Sequence, residues 1–95
     1  MDSEQKYIIL VIYDIIENKQ RLRMAKLLNS YGMRVQKSAF EARLTKSQYE
    51  RMLHAIKSLV KDEDNVRIYK LYSYEEILTF GQKEYEDVLD DVIII

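Results

Sequence analysis

Cysteine, proline and tryptophan are absent from this 95-residue chain, and glycine occurs only at positions 32 and 81. Without cysteine there can be no disulfide, no thiolate metal site and no cysteine nucleophile. Without proline, and with so little glycine, the chain has few breakers and no flexible linker, so residues 1–95 are expected to form a single domain. A domain of this length buries roughly 60–65% of its unfolded surface, so a partner surface would add to its stability. The apolar run that follows MDSEQ is too short for a secretory leader or a membrane span. The expectation is a cytoplasmic protein with no membrane partner.

Net charge is −1, which says nothing by itself about a polyanionic partner. The charge is sorted along the chain, however. Residues 17–37 hold six basic side chains (Lys19, Arg21, Arg23, Lys26, Arg34 and Lys37) against Glu17, whereas residues 75–95 hold seven acids against Lys83. Sorting of this kind can build a positive face on a neutral protein, although each run is also what a solvated surface looks like.

Tyr7 to Tyr13 reads YIILVIY, apolar at every position and rich in β-branched residues, which predicts a strand. A strand apolar at both parities must be covered on both faces. Helices can cover one face; the short chain leaves the other for a second copy, which points to a dimer joined sheet to sheet. Asn18 is placed to cap a helix running to Tyr31, with Leu22, Met24, Ala25, Leu27, Leu28 and Tyr31 inward and Lys19, Arg23 and Lys26 on an outer stripe. Gly32 would stop that helix in a left-handed conformation. In RVQKSAFEARL the apolar phase flips near Gln36–Ser38, so either a tight turn or a bulge must intervene, the turn being preferred. Thr45-Lys-Ser-Gln48 has the form of a capping box, opening a helix whose apolar positions repeat from Tyr49 to Val60. VRIYKLY then reads as a strand. The order β-α-β-β-α-β predicts a ferredoxin-like α+β sandwich. Residues 1–6 extend it at the front; residues 76–95, ending in Val92-Ile-Ile-Ile95, are expected to add a C-terminal strand that takes part in the dimer.

The catalytic inventory is thin. The single histidine, His54, falls off the apolar stripe of its helix, and no Ser–His–Asp set or glycine-rich phosphate loop is available. Hydrolysis would therefore need carboxylates and a metal. Asp14, at the end of the first strand, is the candidate: it would project beyond the sheet, where a hard cation such as Mg²⁺ or Mn²⁺ prefers carboxylate and water oxygens. An aspartate after a strand more commonly caps the next turn. A two-fold dimer could pair it with its own copy and make a usable site. Ser38 and Phe40 read either as turn and core or as a hydroxyl near phosphate beside a stacking ring, and spacing favours core.

YD at 13–14, RLR at 21–23, YGMRVQKSAFE at 31–41 and VRIYKL at 66–71, in this order and spacing, resemble the small CRISPR-associated protein of spacer acquisition, many members of which are described as metal-dependent endonucleases. The resemblance runs from about Tyr7 to Leu71. It implies a homodimer whose C-terminal strands join the partner's sheet, with the CRISPR integrase as partner protein and DNA or RNA as ligand. It implies that Asp14 is the metal-binding catalytic acid, beside Tyr13 as a further family position. It implies that Arg21, Arg23 and Arg34 contact nucleic acid, with Ser38 and Phe40 near the same site. By their place on the first helix, Lys19 and Lys26 are expected to extend that surface. The apolar pair Ile15-Ile16 departs from the family pattern. The same family implies a rival role, a non-catalytic dimeric scaffold that holds protospacer DNA for the integrase.

Overall fold

The structure is a computed structural model, described for residues 5–72 and 77–81. The apolar first run forms β1 (Lys6–Asp14), followed by α1 (Asn18–Asn29), β2 (Gly32–Gln36), β3 (Ala39–Thr45), α2 (Lys46–Leu59) and β4 (Asn65–Leu71). All pairings are antiparallel, in the order β2-β3-β1-β4. Each helical crossover skips one strand, which is the split arrangement of the ferredoxin-like α+β sandwich.

One parity of the strands faces the helices. Ile9, Val11 and Tyr13 of β1 join Phe40, Ala42 and Leu44 of β3, Met24, Ala25 and Leu28 of α1, and Met52 and Ile56 of α2 in a single buried cluster. The capping box opens α2 as the sequence predicts: the Gln48 amide donates to Thr45 Oγ1 at 3.3 Å, and Thr45 N–H donates to Gln48 Oε1 at 2.9 Å. On the inner side of β4 the apolar alternation is broken by Lys70. Its ammonium lies 4.8 Å from the Tyr7 ring centre and 5.2 Å from that of Tyr49, so the rings receive the charge while the stem covers apolar surface.

Three local expectations are corrected. Asn18 is the first residue of α1 rather than its cap; the cap is Glu17, which makes no side-chain capping bond. Gly32 does not end α1 in a left-handed conformation: among the described residues the one glycine with positive φ is Gly81. The helix closes at Ser30, whose N–H reaches Lys26 O and Leu27 O. Gly32 instead starts β2, where a Cβ would stand 2.1 Å from Glu41 O and 2.8 Å from Ala42 Cα. The phase flip is met by both devices, not one. A turn at Lys37–Ser38 separates the strands, and the β2–β3 register also shifts between Arg34 and Gln36.

The other parity of the sheet faces away from both helices. Ile8, Leu10 and Ile12 stand beside Arg43, Glu41 and Ala39 on one side and Leu71, Tyr69 and Arg67 on the other. Ile12 and Tyr69 are 40% and 41% exposed, so the middle of this face shows apolar surface. The Ile77–Gly81 stretch has no regular structure, and Leu78 and Phe80 are exposed. The strand expected at Val92–Ile95 and most of the acidic stretch lie outside the described residues, as do residues 1–4. Among the described residues no helix is long and apolar enough to cross a membrane.

Candidate nucleic-acid and metal site

The end of β1, the start of α1, the Lys37–Ser38 turn and the α2–β4 connection all meet at one end of the sheet. The topology brings this about: β1 and β2 run toward that end, and β3 and β4 start from it. Asp14 closes β1 opposite Asn65, the first residue of β4, and its side chain is exposed. Among the described residues no donor reaches its carboxylate.

Two other carboxylates nearby, Glu17 and Asp64, are committed. Glu17 Oε1 lies 3.3 Å from Lys61 Nζ, with both side chains more than half exposed. Asp64 accepts Ile16 N–H on Oδ1 and Lys61 N–H on Oδ2, each at 3.0 Å. Those two backbone donors, Ile16 foremost, hold the Asp64 carboxyl below its ordinary value, because they favour the charged form. Asp62 and Glu63 of the same connection are exposed.

The predicted cations divide into two sets. Lys19, Arg23 and Lys26 are exposed on α1, and Arg23 Nη1 donates to Gln20 Oε1 at 2.9 Å. Gln20 itself is buried and donates through Nε2 to Leu59 O at 3.1 Å, tying the start of α1 to the end of α2. Arg21 and Arg34, by contrast, hold backbone. Arg21 donates from Nε to Ile15 O (3.2 Å), from Nη2 to Ile16 O (3.1 Å) and from Nη1 to Asn18 Oδ1 (2.6 Å). A guanidinium has five N–H donors, so each terminal nitrogen of Arg21 keeps one more. Arg34 is buried, donates from Nε and Nη2 to Lys37 O, and lies over the Phe40 ring at 6.0 Å.

Phe40 is 1% exposed and stacks on Tyr13 at 6.2 Å, so both rings lie in the core beneath the site. Tyr13 N–H donates to Ser38 O at 3.0 Å, which sets the Ser38 turn alongside the tip of β1. Ile15 is buried, whereas Ile16 is exposed. His54 is exposed on α2. The residue that sequence reading missed is Asp64. Its only local signal is an aspartate three positions after Lys61, close enough for its side chain to reach back to the Lys61 N–H; its bond to Ile16 spans 48 residues.

Among the described residues no group of three or more His, Asp or Glu side chains could hold a metal. One protomer thus offers one uncommitted carboxylate at the strand tip. That donor set suits Mg²⁺, which keeps several waters and takes one or two carboxylates with substrate phosphate, better than it suits an all-protein cage.

The class that fold and site define is a ferredoxin-like α+β sandwich with an exposed aspartate at the tip of its first strand and a basic first helix. The model of the family of CRISPR-associated protein Cas2 matches residues 7–76. A CRISPR-associated endoribonuclease Cas2 of Mycobacterium tuberculosis is 44% identical over 77 residues, covering 81% of this chain and 68% of that protein. One from Chloroflexus aurantiacus is 38% identical over 90 residues, covering 90% and 97% of the two chains. A crystal structure of Cas2 superposes with a TM-score of 0.74 at 28% identity, covering 88% of this chain and 95% of the other. The chain belongs to the Cas2 family.

Proposed function

We propose that this protein acts in CRISPR spacer acquisition as a homodimer that binds nucleic acid at the Asp14 end of its sheet and hydrolyses phosphodiester bonds there. The observation that carries the reading is Asp14 itself: an exposed carboxylate that no donor among the described residues reaches, in a neighbourhood where Glu17 and Asp64 are engaged. The endoribonuclease names of the relatives support RNA as one substrate. The apolar middle of the sheet face turned from the helices supports a two-fold pairing through that face, and the integrase is the partner protein proposed for the dimer.

Asp14 and its copy in the second protomer would hold a Mg²⁺ or Mn²⁺ ion. A divalent cation, when bound, supplies an activated water and neutralises charge developing on the phosphate. The chain's own residues do the rest. Lys19, Arg23 and Lys26 attract and register the phosphate backbone without reading bases. The first turn of α1 has no side-chain cap and no acidic residue, so its N–H groups favour an anion. The remaining N–H groups of Arg21 and the Ser38 hydroxyl extend the polar rim. Arg34, Tyr13 and Phe40 support it from beneath. Asp62 and Glu63 repel phosphate, so the strand is expected to cross α1 and the Lys37–Ser38 turn and to avoid the α2–β4 connection.

The test is metal-dependent cleavage of RNA, single-stranded DNA and duplex DNA, with Asp14→Asn purified in parallel. EDTA should abolish cleavage, and Asp14→Asn should lower kcat by on the order of a hundredfold while the variant stays folded and dimeric. Cleavage that survives Asp14→Asn would move the chemistry elsewhere. Metal-independent binding without any cleavage would leave the scaffold role.

A further inference from the structure

Asp64 sits in what the sequence offers only as a connection, yet its two oxygens serve two different segments. Oδ2 accepts Lys61 N–H at 3.0 Å while Asp64 N–H donates to Lys61 O at 2.9 Å, which closes the α2–β4 connection on itself. Oδ1 reaches across the fold to Ile16 N–H, two residues past Asp14. On the same peptide stretch, Arg21 takes Ile15 O and Ile16 O. Ile16 is thus gripped at its N–H by an anion and at its C=O by a cation, and the preceding Ile15 is buried in the core. Asp14 is tied a second time through its pairing with Asn65, the neighbour of Asp64.

We propose that Asp64 is a positioning residue for Asp14: with Arg21 it clamps residues 15–16, fixing the direction in which the strand-tip carboxylate meets a divalent cation and substrate phosphate. The proposal rests on the reading of Asp14 as the cation-holding acid. Asp64 is not itself offered as a ligand, since each of its oxygens already accepts a backbone N–H. Carboxylates that orient a ligating group from behind commonly matter to metal affinity about tenfold or more when removed. Asp64 acts through backbone rather than through the Asp14 side chain, so about tenfold is the expected scale.

The experiment is a Mn²⁺ titration of the ¹⁵N-labelled full chain, reading paramagnetic broadening of the amides around residue 14, together with hydrogen exchange at Ile16. Wild type, Asp14→Asn, Asp64→Asn and Asp64→Glu are compared. Asp64→Asn keeps the shape but turns an NH₂ toward one of the two backbone donors; Asp64→Glu keeps the charge but is a methylene too long for both. Both Asp64 variants should speed Ile16 exchange and weaken Mn²⁺ binding by about tenfold. If the wild type cleaves, they should also lower kcat with the nucleic-acid KM unchanged. Faster Ile16 exchange with unchanged Mn²⁺ affinity would overturn the proposal and leave Asp64 as a loop staple. Unchanged exchange would refute the clamp itself. A wild type whose broadening is absent near residue 14, or persists in Asp14→Asn, would refute the Asp14 reading instead, and this proposal with it.

Discussion

Arg21 and Arg23 lie two residues apart on α1 and both carry an expectation of nucleic-acid contact, yet their surroundings predict different losses on truncation. Arg21→Ala removes three hydrogen bonds, two of them to the backbone that follows Asp14. Charge-assisted bonds contribute roughly 1.5–3 kcal/mol each when sheltered. Arg21 is only partly buried, so about 1 kcal/mol apiece is the better figure, giving about 2–3 kcal/mol in all. For a domain of this size that lowers Tm by roughly 10–20 °C. Arg23→Ala removes one bond to Gln20 Oε1 on the surface, which should cost less than about 0.5 kcal/mol. It should still flatten the salt dependence of nucleic-acid binding by about 0.9 on duplex or 0.7 on a single strand if it contacts one phosphate. Thermal melting of both variants, with fluorescence anisotropy across a salt series, separates the two roles. Melting temperature decides the case of Arg21: if Arg21→Ala melts with the wild type, the guanidinium is not holding the loop and the clamp is wrong.

Three further outcomes follow from the same geometry. Ile12→Glu places a charge on the apolar face turned from the helices and should give a monomer by sedimentation at micromolar protein with secondary structure intact; a dimer of unchanged affinity would put the interface elsewhere. Gly32→Ala drives a Cβ into Glu41 O, a backbone atom that cannot swing aside, so it should cost about 3 kcal/mol, and Ala42→Gly should not rescue it; a melting temperature within a few degrees of wild type would contradict the close approach. Because the folded Asp64 carboxyl is held below its ordinary value of 3.8, its contribution is fully present above the unfolded value and is lost as pH falls through the folded one. Asp64→Asn should therefore make the stability profile shallower below about pH 4 relative to wild type, and identical acid limbs in the two proteins would count against the Ile16 bond.

What sequence reading captured was local or strongly periodic. The capping box at Thr45 and Gln48 needs four residues and no context, and it stands as predicted. The unbroken apolar run of β1 requires cover on both faces, and Ile8, Leu10 and Ile12 do lie on the side without helices. Asp14 at the strand tip followed from where that run stops. Features set by distant partners were out of reach. Nothing near Asp64 in the chain announces Ile16. Arg34 and Arg23 read alike as basic residues, but the register shift between Arg34 and Gln36 accompanies one that is buried over Phe40 while the other stays in solvent. Gly32 was read by its usual conformational role at a helix end, when the reason for it is the proximity of β3.

The two outer strands of the sheet are not alike, and the difference bears on how copies of this chain can add to one another. β2 is short and irregular, with a register shift midway, and irregular edges resist further pairing. β4 runs seven residues in unbroken register with β1, and among the described residues no strand lies beyond it. A sheet with two regular borders can lengthen without limit, each new molecule leaving a fresh border for the next. With a single permissive border, addition ends once that border is filled, so strand exchange between two copies terminates in a closed pair where it could otherwise seed a fibre.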